Sequence, residues 1–565
     1  MEGKDFALHY SQLCLGLAVA LLLATCSTPE AARDSAPTDS APTPETMAVP
    51  PSILVRTEGG LDTECATLEE AVELAAHGTA VVLGEGTYIL ARPLSIDKAL
   101  SLEGAGMNET EIVCSAKEFV IHIGAGVRFA AQDITFRHTG ESAADVVVME
   151  GGEVHLLRCR VTGAVHIVGA EETRAGLRLS GDTLGIVRDC TVDNNDAGII
   201  VAGQAAPTLQ ANICTGNWDG IAYYDGAGGS ARLNECTENE RGIVIADRAQ
   251  PTLEGNYCAR NKRSGISYSG RAGGSASGNE CSGNGQQGIM IGTKAEPTIE
   301  RNVCRGNGQY GIRYFGEAGG LAKQNECSGS WSGIHVGEQS APTLEANVCT
   351  DNEWGGITYS GSAGGLALRN DCSKNHIDGI YLFDRAEPVL EANLCTNNRH
   401  YGIRYGDSTA GVARENECSV NERGIIVSDE ASPLLQGNRC SDNSEYGISV
   451  AGDAQPTLDG NVCTHNLCNG ISYYGDAGGV ARGNECSGNG VGIKLGMRAT
   501  PTLQGNSCID NRIGIAYLDQ SGGVARENEC VRNEVGLLVE ENATPQFIDN
   551  LAHDNRALDI DDRRP

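Results

Sequence analysis

From residue 206 to about 555 the apolar residues fall at period two in short runs, each closed by Gly, Asn, Pro or Ser. Period two is the mark of a strand whose side chains point alternately to two faces, and runs this short between turn residues exclude helical repeats. The runs recur. Asn-x-Cys occurs fifteen times from Asn212 to Asn528, at intervals of 22 or 23 residues, and Asn550 continues the series without its Cys. Three residues beyond each Cys a second Asn usually follows (Asn217, Asn239, Asn261), and then Gly-Ile, as in Gly220-Ile221 and Gly242-Ile243. A repeat of this length has no room for a helix pair and fits one coil of a parallel β-helix. Strands then stack at about 4.8 Å, inward side chains form ladders, and sixteen coils rise roughly 75 Å. The expected fold is all-β, a single-stranded parallel β-helix.

The coils alternate in kind. One kind has a Pro-centred turn (Pro207, Pro251) with Leu or Ile three residues before the ladder Asn, and the other a Gly-Gly turn (Gly228-Gly229, Gly273-Gly274) with Ala there. Tyr follows the Gly-Ile isoleucine by two residues only in the strand leading into a Gly-Gly turn: Tyr223, Tyr268, Tyr314, Tyr359, Tyr405, Tyr473 and Tyr517. Large Tyr with small Ala, and aliphatic with Leu, is volume compensation in a close-packed interior. Where two Pro turns succeed each other (Pro433, Pro456), the Tyr position is Val450. Two residues before the ladder Asn, acids or amides often alternate with bases (Gln210, Arg232, Glu254, Glu300, Lys323, Glu345). This column reads as a salt-bridged solvent face, with a substrate groove as the alternative.

The repeated motif resembles the right-handed parallel β-helix repeat of the pectin-lyase-like superfamily, with Cys where that family more often has Ile or Val. Upstream, Thr67-Leu68-Glu69-Glu70 is a capping box opening a short amphipathic helix (Leu68, Val72, Ala75), and chains resembling that superfamily commonly begin with a helix plugging the open core. Cys159 and Cys190 read as first members of the Cys ladder, which puts seventeen Cys in one register through Cys530. Stacked side chains point the same way, which is poor geometry for disulfides. Buried thiols packing as small hydrophobes are expected; a one-sided ladder without His offers no metal site.

Composition adds an address. Residues 13–24 (LCLGLAVALLLA) have the length of a signal-peptide h-region, and the run ends in Leu23-Ala24-Thr25-Cys26, which resembles a bacterial lipobox with Cys26 as the lipidated residue. The resulting layout is leader and lipobox (1–26), a Pro/Ser/Thr-rich tether (27–50), cap and irregular coils (51–205), regular coils (206–555) and a tail (556–565). It implies export to a bacterial surface, outer membrane or periplasm, or secretion, with membrane attachment only through the lipid. A formal net charge of -32 argues against nucleic-acid partners.

The resemblance brings candidate chemistry, since enzymes of that superfamily include uronate polysaccharide lyases and C5-epimerases. Asp-Pro-His, Asn-Thr-Asp and Gly-His-Gly are absent from the chain, and Ca²⁺ is expected only if lyase chemistry applies. The least implausible acid/base cluster is His376 and Asp378 with His400, Tyr405 and Asp407 on the neighbouring coil. All three Trp (Trp218, Trp331, Trp354) and Tyr310, Tyr401 and Tyr446 fall in the turn before Gly-Ile, with His376 and Ile377 filling the coil between Trp354 and Tyr401. Aromatic faces stack on sugar rings, so these six are the binding candidates; covering the turn backbone is their alternative role. Any cleft is expected at the irregular stretch 160–187. The preferred reading is a monomeric, non-enzymatic surface rod, without cofactor or metal, that binds a polysaccharide or surface protein or serves as a spacer. A uronate-polysaccharide lyase or epimerase is the alternative.

Overall fold

The computed structural model describes residues 51–56, 62–165 and 173–565. The leader, Cys26 and the tether lie outside the described residues, as do Glu171 and Glu172.

At the N-terminal end the helix α1, Leu68–Leu74, is capped by Thr67, whose side chain accepts from the Glu70 N–H, while the Glu70 carboxylate accepts from the Ala66 N–H at 2.9 Å. It buries Leu68, Ala71 and Val72. Strand Ile53–Val55 runs antiparallel to both Thr63–Cys65 and Thr79–Leu83, closing the first edge of the solenoid.

Beyond the cap the chain winds as three parallel sheets. Sheet I holds the strand before the first Asn (Thr208–Gln210), sheet II the Asn-x-Cys strand (Ile213–Thr215) and sheet III the Gly-Ile strand (Asp219–Tyr223). Stacking is in register: Leu209 on Ala231 on Leu253, Cys214 on Cys236, Ile221 on Ile243. Among the described residues sheet III has 21 strands, from Leu94–Ile96 to Leu558–Asp562. The last of these pairs with Val535–Val539, so coiling continues through the stretch that the sequence assigns to a tail.

Buried Asn columns tie the coils together. The Asn234 Oδ1 accepts from the Asn212 N–H at 3.0 Å and from its Nδ2 at 2.9 Å, and that Nδ2 also donates to the Val187 carbonyl. Every amide group is used, so a column of polar side chains sits in the interior without an unmet hydrogen bond. A second column runs from Asn195 to Asn555, with Ser330 standing in once, where its hydroxyl accepts from the Asn307 N–H at 3.2 Å.

The Cys ladder differs from the expected one at its start. Cys214 stacks on Val192, whereas the Cys190 N–H donates to Asn212 Oδ1 at 3.1 Å. Cys190 and Cys159 therefore stand in the first Asn column, and the ladder proper has fifteen members, Cys214 to Cys530. The irregular coil shifts the sequence spacing by two residues. All fifteen are free and buried. The seven Tyr of the two-coil pattern are fully buried in the same core.

Candidate functional site

A sheet III strand turns its third and fifth residues inward and its first and fourth outward. The glycine between is dictated by the next coil: a Cβ at Gly333 would lie 2.6 Å from the Gly356 carbonyl oxygen. Inward positions are thus constrained at every coil, while outward ones are free to vary. Between Tyr310 and Tyr446 rings and guanidinium groups occupy many of those outward positions and of the positions just before and after the strand.

Trp331 and Trp354 stack with centroids 4.7 Å apart and planes 20° from parallel. Tyr310 extends the row 6.0 Å from Trp331 and lies flat on His335 at 4.7 Å. On the other side Trp354 meets Tyr381 edge-on at 5.5 Å and Phe383 at 6.0 Å. Arg404 lies 4.5 Å over Tyr381, and Arg423 lies over Tyr401 and Tyr446 at 5.6 and 5.0 Å. Arg313 closes the first end over Tyr310 and Phe315. Phe315 can lie there because Gly292 beneath it has no side chain; a Cβ would come within 2.1 Å of the ring. Six coil steps make this a stripe roughly 30 Å long.

The structure brings together five of the six aromatic candidates. Trp218 stands apart: it is 53% exposed, with Glu240, Arg263, Gln286 and Gln309 at its turn position on the intervening coils. The gap between Trp354 and Tyr401 is bridged by Tyr381 and Phe383, whereas His376 is exposed and donates its backbone N–H to the Asn352 carbonyl. Arg313, His335, Tyr381 and Arg404 escaped the sequence reading, although the same signal finds them, since each follows a Gly-Ile directly.

The five acid/base candidates do not converge. Tyr405 points inward and is fully buried in the core, which removes it from any surface cluster. Asp407 sits at an exposed turn with φ +50°, where its carboxylate accepts from the Asp384 N–H. His400 pairs with Glu422 at 3.2 Å. Asp378 is different, for it is fully buried within the stripe. One oxygen accepts from the Tyr401 N–H at 3.2 Å; the other has no hydrogen-bond partner and faces Arg404 Nη1 at 4.0 Å. Burial pushes its carboxyl up to about 7, with Arg404 pulling the other way. Burial, with Arg313 nearby, pushes His335 down to about 4 and keeps it neutral.

A second feature lies nearer the N-terminus on the same sheet. A cleft of about 720 Å³ is lined by Glu118, His122, Asp145, Glu150, Arg178 and Tyr224, among others. The buried Asp145 carboxylate is fully engaged, by the Ala175 N–H, Arg174 at 3.1 Å and Arg178 at 3.0 Å. Burial, reinforced by Asp219, pushes Tyr224 up to about 12. The cleft includes residues of the irregular stretch where the sequence placed one. Among the described residues no three His, Cys, Asp or Glu side chains come together as a metal site. The charged column on sheet I forms cross-coil pairs, including Arg232–Glu254, Lys323–Glu345 and Arg414–Glu391.

Comparison with known proteins agrees with this architecture. The family model described as right handed beta helix region matches residues 145–304, 287–440 and 423–563. No curated protein matches the chain. Among solved structures it is similar to the Dettilon tailspike protein (TM-score 0.34, 17% identity, 64% of each chain covered). It is also similar to pre-mature bacteriophage phi29 gene product 12 (TM-score 0.43, 10% identity, 86% of this chain and 71% of the other). A third is the periplasmic alginate epimerase AlgG (TM-score 0.19, 12% identity, 94% and 100%). At such identities the likeness concerns the fold alone. With three overlapping matches spanning residues 145–563, the chain belongs to the right handed beta helix family, and its fold is a right-handed parallel β-helix.

Proposed function

We propose that the protein is an exported, lipid-anchored rod that binds an extended glycan along the outer face of sheet III. The observation that carries this reading is the row of rings from Tyr310 to Phe383, continued to Tyr446 by Arg404 and Arg423 lying over Tyr381, Tyr401 and Tyr446. Trp331 is 43% exposed. Contiguous apolar surface on a soluble chain marks a contact site, and rings spaced at about 4.8 Å along a straight edge match a polymer better than a compact ligand. Purified protein applied to a polysaccharide array tests the proposal. Binding to at least one glycan without change in the glycan supports it, and an array with no binding overturns it.

The cleft around Asp145 favours a second reading, a lyase or epimerase acting on uronate polymers. Arg178, His122 and Tyr224 border one hollow, beside the point where the regular coil is interrupted. Chromatography of the glycans recovered from the array separates the two: shortened, unsaturated or epimerised products support the enzyme.

A further inference from the structure

The stripe is more than an apolar surface, because polar atoms are buried under its rings without partners. Gln287 Oε1, Arg313 Nε, Ser332 Oγ, Asp378 Oδ2 and Arg404 Nε all lie on the outer face of sheet III, shut off from solvent and without a hydrogen bond. Buried polar groups are almost always paired, and pairing is worth most where water is excluded. In the N-terminal cleft of the same sheet the rule holds for Asp145, whose two oxygens accept from three groups. In the stripe it is broken repeatedly.

Asp378 and Arg404 show what the broken rule implies. A carboxylate and a guanidinium on adjacent coils normally close to a direct bond, as Arg241 does on Asp219 at 2.7 Å. Here they stop at 4.0 Å, with Asp378 Oδ2 and Arg404 Nε unpartnered. A hydroxyl oxygen sits about 2.8 Å from a donor and from an acceptor at once, so one hydroxyl spans this separation, accepting from Arg404 and donating to Asp378. The Arg404 side chain is 35% exposed and rests on the Tyr381 ring, which leaves it free to lift. Trp354 and Tyr381 supply the adjoining ring faces.

The charges around this point disfavour an acidic ligand. Arg404 faces a carboxylate, Arg423 is held by Glu445 at 2.8 Å and Glu422 at 3.9 Å, and the chain carries a net charge of -32. Building on the glycan-binding reading above, we infer that Asp378 and Arg404, with Trp354 and Tyr381, form a polar subsite that grips a hydroxyl of a neutral glycan.

The ionised carboxylate is the form that accepts from a hydroxyl, so binding strengthens as Asp378 deprotonates. The groups facing it are Arg404 and Tyr401 on the next coil, Tyr381 on its own strand, and Glu422, itself paired with His400, on the coil beyond. Trp354 and Gly355 on the preceding coil carry no charge. With the carboxyl near 7, the competent fraction is about one tenth at pH 6 and about nine tenths at pH 8, an affinity gain of roughly tenfold.

The test is tryptophan fluorescence of the full chain, titrated at pH 6 and pH 8 with cellohexaose, maltohexaose, mannohexaose and hexagalacturonate. At least one neutral hexasaccharide is expected to bind, roughly tenfold tighter at pH 8 than at pH 6. Asp378→Asn should weaken it at pH 8 by about tenfold or more and flatten the pH dependence. Arg404→Lys, which keeps the charge but loses the fork, should also weaken it and serves if Asp378→Asn fails to fold. Wild-type affinity in the folded variants overturns the subsite. Binding of hexagalacturonate alone also overturns it; if that binding is lost in the Trp331→Ala/Trp354→Ala variant, the stripe itself remains a glycan site. No binding by any of the four overturns the subsite and counts against the stripe as well.

Discussion

The N-terminal cleft and the aromatic stripe occupy the same outer face of sheet III, yet they are built on opposite rules. In the cleft the buried carboxylate is paired, Asp145 being clasped by Arg174 and Arg178. In the stripe, rings stack from coil to coil, and several polar atoms beneath them are left without partners. Both regions lie on the same parallel sheet, although the coil beside the cleft is irregular. The contrast shows that the coil fixes only what faces inward, and that outward positions can be filled for stability in one stretch and for contact in another.

The largest expected effect comes from breaking the paired side. Asp145→Ala leaves two guanidinium groups without their buried carboxylate, and removing one member of such a cluster costs about 3–5 kcal/mol. Calorimetry should show this as a marked drop in the thermal transition; an unchanged transition would mean that the cleft charges, like those of the stripe, are not there for stability.

Asp378→Asn should act in the other direction, and more weakly. The folded carboxyl lies near 7, above the unfolded value of about 3.9. From about pH 4 to pH 7 the native state therefore binds the extra proton, and the stability this group contributes at low pH is lost as pH rises through 7. Replacing it by Asn should raise stability at pH 8 by at most about 4 kcal/mol, less the cost of burying the amide donors, and leave it little changed at pH 4. Denaturant melts at the two pH values check this; equal shifts at both would show that Asp378 is not held protonated by burial.

How far each region was legible follows from the same contrast. The Asn columns, the Cys ladder and the pairing of Tyr with Ala were readable because inward positions recur under one constraint, and repetition exposes them. The register of Cys159 and Cys190 was misread because two irregular coils precede the first regular one; Asn195, which stacks on Asn217, was the better anchor. On the outer face no repetition helps. Tyr310, Trp331 and Trp354 stood out by type and position; Tyr381 and Arg404 carry a positional mark too, directly after a Gly-Ile, but only the assembled sheet shows that they meet the same stripe. Tyr405 shows the converse: two residues beyond Ile403 it can only be core, and its closeness in sequence to His400 says nothing of a shared surface.

Smaller effects sharpen the inner half of the picture. The Tyr359 hydroxyl is buried without a hydrogen bond, so Tyr359→Phe should change stability by no more than about 1 kcal/mol, toward greater stability if at all. A larger loss would reveal a partner for that hydroxyl. Among the described cysteines Cys468 alone is exposed, so thiol reagents should modify it in the native rod and the fifteen ladder members only after unfolding. Coil-to-coil disulfides detected by mass spectrometry would contradict the packing account.

The central claim, that the stripe exists for contact rather than for the fold, is tested most directly by one paired measurement on Trp331→Ala/Trp354→Ala. Affinity for the glycan bound by the wild type and the thermal transition should be measured on the same preparation. The account predicts that binding falls below detection while stability changes by less than about 1 kcal/mol, as for substitutions outside the packed core. A transition lowered by several kcal/mol with binding retained would show that the rings serve packing, and would contradict it.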